Sequence, residues 1–484
     1  MTPILVVGAG PVGLTMASEL SRFGVGVRII DQNPHPTKTS RALVIWSRTL
    51  ELMDRMGCTR TFLDAGLRAH GASMRAGQVV LGRPRFDDIA SEYNFALMIP
   101  QRDTERLLIQ HLRTLGVEVE RQVELLSFVQ RDECVETVLS HPDGRKETAL
   151  TPWLIGCDGA HSTVRHGLNV EFRGSAQGDE WMIADVRVAG ESAPAADEIS
   201  IYFHRDGPFV VFPIPGDRAR IIATRGKSDE AHPRPDPTIA DVQSMIDQRA
   251  GGGFSASDPV WLTNFRINER KVGQYRHGRA FLAGDAADIH SPAGGQGMNT
   301  GMQDAVNLAW KLALVVHQAA NDSVLDSYSP ERNAVGEMVL RNATLLTDVA
   351  TLANPAAQAA RNLVARFLLG FHAVQDEMAS TMSEIDIAYR KSPLCTGRHA
   401  GSRWAPRHYA GAPPGSGGSP KFVLYAADGN KAAALLGKFP ALVEAVSRQT
   451  PDSYMHVVRP DGYVGLTAGS DDWNEVDSYL DRLT

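Results

Sequence analysis

The stretch Ile4-Leu5-Val6-Val7-Gly8-Ala9-Gly10-Pro11-Val12-Gly13, near the start of this 484-residue chain, decides how the first element folds. Residues 3–8 are a short apolar run that reads as a buried strand. Val12 to Phe23 has helical periodicity, and Val25 to Ile30 is a second apolar strand ending at Asp31. Together they predict a βαβ unit. In Gly8-x-Gly10-x-x-Gly13 the first glycine permits the tight turn and the second lets backbone approach a pyrophosphate. The third lets the helix pack on the strand. The helix starting near Val12 aims free N–H groups and its positive dipole end at the phosphates. Asp31 then falls about twenty residues on, where a carboxylate can accept from ribose hydroxyls. An acid there suits an unphosphorylated ribose, hence FAD or NAD rather than NADPH in this slot. No second fingerprint of this kind opens a later βαβ unit, so a nicotinamide partner lacks a domain of its own.

Working outward, two further stations stand in the first three hundred residues. Gly156-Cys157-Asp158-Gly159-Ala160-His161-Ser162-Thr163-Val164-Arg165 is the second; taken alone, it also reads as a turn with surface charges. The third runs from Gly284-Asp285 through Ala286-Ala287-Asp288-Ile289-His290-Ser291-Pro292 to Gly294-Gly295-Gln296-Gly297-Met298-Asn299-Thr300-Gly301. An apolar strand at Arg279 to Ala283 delivers Asp285 at its carboxyl end, where ligands bind in open α/β sheets. Glycines 294, 295 and 297 permit close backbone approach to a planar ring, ahead of a helix starting near Asn299 to Met302. The competing reading of this loop is simple flexibility. Three such stations, each offering amides or a carboxylate to a different part of one long cofactor, argue for FAD and redox chemistry.

Composition bounds the rest. Hydrophobic residues make up 43% and charged residues 22%, ordinary for a globular enzyme. A net charge of −7 with no basic stripe argues against nucleic acid as a partner. The four cysteines (Cys58, Cys134, Cys157, Cys395) are far apart, with no metal-like spacing, and read as reduced thiols of a cytoplasmic protein. Cys157 reads as a small apolar residue ending a strand rather than a catalytic thiol. The longest later apolar run, Leu308 to Val316, is broken by Lys311 and falls short of a membrane span, and no signal peptide is expected.

Four segments emerge along the chain: 1–171 and 276–390 as the two parts of a cofactor domain, 172–275 as an inserted antiparallel sheet, and 391–484 as a small αβ region. Helices are expected at Arg41 to Met56, Gln101 to Leu115 and Met302 to Ala319. Strands are expected at 117–130, 134–140 and Thr148 to Ile155. In the insert, β-like runs appear at Met182–Val188, Ile199–Phe203, Phe209–Ile214 and Arg220–Thr224. Past the Gly/Pro/Ser linker Gly411 to Pro420, the pattern is strand 421–425, helix 430–448, a hairpin about Pro460-Asp461-Gly462, and a terminal helix.

These motifs resemble the class A flavoprotein monooxygenases, the para-hydroxybenzoate hydroxylase-like family, in its branch acting on phenols and aromatic polyketides. The likeness covers roughly residues 1–390. It implies an α/β fold: a Rossmann-like FAD domain, an inserted antiparallel substrate sheet, and a shortened thioredoxin-like C-terminal region without C-x-x-C. It implies FAD binding by Gly8, Gly10, Val12, Gly13 and Asp31, with Arg41 reaching the flavin side, Gln101 matching the family's helix-start glutamine at the cofactor and Leu125 backing the adenine. Asp158, Gly159, Ser162 and Arg165 would meet FAD and the reduced nicotinamide, and Asp285 the ribityl or pyrophosphate. Pro292, Gly295, Gly297, Met298 and Asn299 would hold the isoalloxazine. The resemblance further implies NADPH or NADH as reductant, O2 as co-substrate, an aromatic small molecule hydroxylated through a flavin hydroperoxide, and a homodimer. Baeyer–Villiger or antibiotic-modifying oxidation on the same fold, and a non-oxygenating flavoprotein, are the alternatives.

Pro292 and His290 are the residues expected nearest the chemistry. His290 could assist deprotonation of a phenol; its competing role is a hydrogen bond to loop backbone. Tyr202, His204, Phe212, Arg225 and Asn264, polar or aromatic within the insert, are candidates for lining the substrate cavity. Two departures stand out. Asp288 replaces the family's usual histidine, and Ser291-Pro292 replaces Pro-Pro. Asp288 is expected either to add charge near the cofactor or, more simply, to face solvent.

Overall fold

Ile4–Val7, four buried apolar residues, form a central strand of a six-stranded sheet. Its order is Arg276–His277, Ala280–Leu282, Leu154–Gly156, Ile4–Val7, Val27–Asp31, Val119–Arg121. Leu5 registers in parallel with Leu154 on one side and Arg28 on the other. Parallel strands covered on both faces need apolar residues throughout, which is why the run is continuous rather than alternating. The chain leaves this strand through the helix Pro11–Arg22 toward Val27–Asp31 and returns on the far side at Leu154–Gly156. That reversal opens a crevice at the carboxyl ends of the strands. The computed structural model describes residues 2–37, 42–228, 234–292, 294–352 and 354–484.

The second large sheet has eight strands, ordered Asp288–Ile289, Ser255–Lys271, Arg173–Ala189, Arg218–Lys227, Phe209–Ile214, Glu198–Tyr202, Gly71–Ala76, Val79–Gly82. Two of these long-range partners lie outside the 172–275 stretch: the hairpin 71–82 extends one edge and residues 288–289 add the other. Alternation separates its faces. Met182, Ala184, Tyr202, Phe209, Val211 and Ile221 pack outward under the helix Ile239–Met245. Trp181, Ile183, Ile222 and Ile267, with the half-buried Phe212, Trp261 and Phe265, form the inner face.

Several local expectations shift. The helix expected from Arg41 begins at Ser47, because Val44–Ile45 pairs as a strand with Leu97 and Met98. Thr148 to Ile155 is two strands in different sheets, split at Pro152, which has no N–H to give a ladder. The C-terminal helix stops at Leu436, before Gly437 and Pro440. The late cofactor helix starts at Gly297 and ends at Val316.

The C-terminal part builds a three-stranded antiparallel sheet (Val423–Tyr425, Tyr454–Val458, Val464–Gly469). It joins the main core through Phe422 and Leu424, with Trp310 against Phe422 at 5.6 Å. Buried charges rivet this junction. Arg459 donates twice to Glu331 (2.6 and 2.9 Å), Lys311 also donates to Glu331 (2.7 Å), and Arg48 donates to the Asp461 carbonyl (2.7 Å). Burial alone would raise the Glu331 carboxyl, yet Arg459 and Lys311 hold it well below the usual range. Among the described residues no helix is long and apolar enough to cross a membrane.

Candidate active site

The phosphate end is built from backbone geometry. Gly8 has φ +99°, and a Cβ there would lie 2.4 Å from the Cys157 carbonyl oxygen. A Cβ on Gly13 would lie 1.9 Å from the Gly8 carbonyl oxygen. Gly10 differs from both: a Cβ would meet no atom within 4 Å. Its freedom therefore serves space outside the protein, in front of a helix start with neither side-chain cap nor acid in its first turn. That is the arrangement that receives an anion. Asp31 accepts from the Ala9 N–H (2.8 Å) and the Asn33 N–H (2.8 Å), shaping the glycine turn with lone pairs to spare. Beside it Arg121 approaches at 3.5 Å, and its Nη2 is buried without a partner, a donor that sequence reading missed.

Asp158 closes against this turn: its Cα is 2.9 Å from the point where a Gly8 Cβ would stand. Its carboxylate accepts from Ser162 Oγ and from the Val164 N–H (3.1 Å), fixing the helix Thr163–Gly167. Burial pushes its pKa up. Arg165 lies over the Phe172 ring at 3.9 Å and donates to the carbonyls of Ala160 (2.7 Å) and Ala286 (3.2 Å). The second station thereby holds the third. Cys157 is a buried free thiol with its pKa pushed well up by burial, unsuited to nucleophilic work.

Val12 reaches across from the first station. Cβ atoms on Gly284 or Gly301 would each lie 2.7 Å from its Cγ2. Asp285 follows in an exposed turn at the carboxyl end of Ala280–Leu282, and Asp304 accepts the Gly284 N–H at 2.9 Å. The loop beyond is held from inside. Asn299 is fully buried; it accepts from the Trp46 N–H and donates to the carbonyls of Val44 and Gly295, all at 2.9 Å. Its side chain is thus committed to the scaffold, which leaves only its main chain to meet a flavin. Gly294 and Gly295 have positive φ (+86° and +65°), Pro292 is exposed, and Met298 is half-buried.

His290 donates through Nδ1 to the Ser291 carbonyl (3.0 Å) and lies against Gly297, a bond that orients the ring and leaves its lone pair on Nε2. Asp288 is buried and accepts from the Tyr275 hydroxyl at 2.9 Å, in place of the solvent exposure expected. Gln101 bonds Glu105 (2.9 Å) and the Ala42 N–H (3.2 Å) at the start of its helix. Leu125 is packed in the main core; its neighbour Val123 is the one that donates to the Asp31 carbonyl (3.1 Å). Arg41 lies outside the described residues.

Of the substrate residues, only Phe212 lies on the inner face. Tyr202 packs against Phe209 on the outer face, because alternation along Glu198–Tyr202 turns it toward the helix. Arg225 donates to Asn264 (2.8 Å) and to the Pro235 carbonyl, so both residues brace a loop. His204 accepts the Asp206 N–H in a turn. Sequence reading missed Trp181, Trp261, Phe265 and the pair Arg220–Asp185, two bonds of 2.7 Å. Arg220 also donates to the Ala42 carbonyl (3.2 Å), which brings the inner face up to the cofactor domain. The period-two spacing of 181, 183 and 185 was the available signal.

The donor set fits an extended dinucleotide: an open helix N-terminus, spare carboxylate lone pairs, an unpaired guanidinium N–H and a bare glycine loop. Residues 1–343 match the FAD binding domain family. A 6-methylpretetramide 4-monooxygenase of Streptomyces rimosus is 36% identical over 405 residues, 82% of this chain and 72% of that protein. A rifampicin monooxygenase of Streptomyces venezuelae is 32% identical over 389 residues, 80% of each chain. Among solved structures, an anhydrotetracycline hydroxylase from Streptomyces rimosus superposes with a TM-score of 0.82 at 28% identity, covering 99% of this chain and 98% of that one.

Proposed function

This chain belongs to the FAD binding domain family, and from that premise we propose that it is a monooxygenase that hydroxylates a phenolic, multi-ring aromatic compound of the polyketide type, with NADPH or NADH as reductant. FAD, when bound, supplies the activation of O2, sending one oxygen atom to the ring and the other to water. Gly8, Gly10, Asp31, Arg121 and the helix Pro11–Arg22 would hold its ADP half. Asp158, Asp285 and the loop Pro292 to Met298 would hold the flavin half. The protein's share of the reaction is orientation and exclusion of water.

The inner face of the eight-stranded sheet carries the substrate reading. Trp181 registers with Phe265, and Asp185 with Trp261, four residues further along the same face. Four residues span about 13 Å, room for several fused rings rather than one. Aromatic walls favour stacked, planar partners. On this wall Asp185 and Arg220 offset each other's charge, so an uncharged ring system suits it better than a small aromatic acid. Relatives named for 6-methylpretetramide, rifampicin and anhydrotetracycline support the same reading.

The test is a screen of phenols and polyketide intermediates for faster NAD(P)H oxidation, followed by product mass in isotopically labelled O2. Incorporation of one labelled oxygen atom into a ring carbon is the expected result. Reductant consumption indifferent to every aromatic compound, with no labelled product, would discard the reading. A labelled lactone would point instead to Baeyer–Villiger insertion.

A further inference from the structure

Behind the flavin loop lies a buried acid that the proposed reaction does not use. Glu384 is 1% exposed and has φ +61°, a left-handed conformation unfavourable for a side chain of its kind. One carboxyl oxygen accepts from Thr300 Oγ1 at 2.8 Å and the other from Gln303 Nε2. Both donors stand in the first two turns of the helix Gly297–Val316. Its neighbours in the same segment are fastened to the same place. Gln296, inside the glycine loop, donates to the Thr381 carbonyl at 2.9 Å. The Arg48 N–H, at the start of the helix Ser47–Met56, donates to the Ser383 carbonyl at 3.2 Å.

Backbone strain and a buried acid at a single residue are both costly, and such features gather where a site needs them. We infer that Glu384 is a positioning residue of the flavin seat, whose carboxyl locks the first turns of the helix Gly297–Val316 and, through them, the glycine loop. This inference rests on the cofactor reading above. Burial raises the Glu384 pKa to about 8, so the group is uncharged at neutral pH. The charged groups nearby do not offset that. Arg332, on the helix Tyr328–Ala350, favours ionisation but is committed to Asp304, the Tyr389 hydroxyl and the Thr300 carbonyl. Asp386, on the same segment, opposes ionisation. From the helix Ser47–Met56 the facing side chain is the neutral Thr49, bonded to Gln303, while Arg48 is engaged by Glu51. An uncharged acid also has a proton to donate, and Gln303 Oε1, a buried acceptor without a partner, would receive it once the amide is turned. Ionisation places an unpaired charge behind the loop and loosens it.

The experiment measures the FAD dissociation constant of wild type, Glu384→Gln and Glu384→Ala from about pH 6 to about pH 10, with unfolding midpoints of the flavin-free proteins over the same range. In wild type the constant should rise about tenfold through the titration. In Glu384→Gln that rise should be absent, and Glu384→Ala should hold FAD at least about tenfold more weakly throughout. Parallel profiles for wild type and Glu384→Gln, or wild-type affinity in Glu384→Ala, would overturn the inference. If Glu384→Ala does not fold, the other two proteins decide. Wild type that takes up no FAD would refute the cofactor reading instead. The flavin-free midpoints then decide: Glu384→Gln must flatten the fall in stability that wild type shows as pH rises from about 6 through about 8.

Discussion

Arg165 donates from Nη1 to the carbonyl oxygen of Ala286 at 3.2 Å, although 121 residues separate them. The bond ties the Asp158 turn to the residue after Asp285. Removing it leaves a buried carbonyl unpaired, at a cost of about 1–3 kcal/mol. Arg165→Leu should therefore lower the unfolding free energy by about that much and weaken FAD retention about tenfold or more. Chemical denaturation and flavin content after gel filtration measure the two effects.

The second and third glycines of the fingerprint should separate cleanly. Gly13→Ala drives a methyl into the Gly8 carbonyl and should prevent a stable fold. Gly10→Ala meets no protein atom, so thermal unfolding of the flavin-free chain should shift by about 1 kcal/mol or less while FAD affinity collapses. Calorimetry beside FAD titration distinguishes these outcomes.

Glu51 sets a pH dependence at the junction with the C-terminal sheet. Burial would raise its pKa, but Arg403, foremost, and Arg48 hold it at about 2, against 4.5 unperturbed. A depressed carboxylate contributes stability that is present above the unfolded value and lost as pH falls from about 4.5 toward about 2. Glu51→Gln should show a shallower acid limb than wild type in urea midpoints recorded across that window.

Trp261 belongs to the wall on which a planar substrate would stack. Trp261→Ala should raise KM for the best compound of the aromatic screen about tenfold, by loss of roughly 1–2 kcal/mol of contact. FAD affinity should not change, because the residue lies on the sheet rather than at the strand ends. Steady-state kinetics with saturating reductant separates KM from kcat.

Much of the cofactor end was legible because its signals are local: the fingerprint glycines and Asp285 lie within a few residues of the turns they shape, and Asp31 closes the same βαβ unit. What escaped depends on distant chain. Asp288 looks exposed in sequence and becomes buried only when Tyr275 and the helix Tyr328–Ala350 close over it. Tyr202 was assigned to the pocket by residue type, whereas the face it occupies follows from alternation counted across a sheet with register shifts beside Glu180 and between Asp185 and Arg187. Glu384 gives no local sign at all, since its partners Thr300 and Gln303 precede it by more than eighty residues.

The most direct measurement is equilibrium titration of the flavin-free chain with FAD, followed by absorbance and fluorescence. One FAD per chain, bound tightly enough to survive gel filtration, with binding lost in both Gly10→Ala and Asp285→Ala, is the result expected. A colourless protein that takes up no FAD, or full retention in both variants, would contradict the convergence of the three stations on one cofactor.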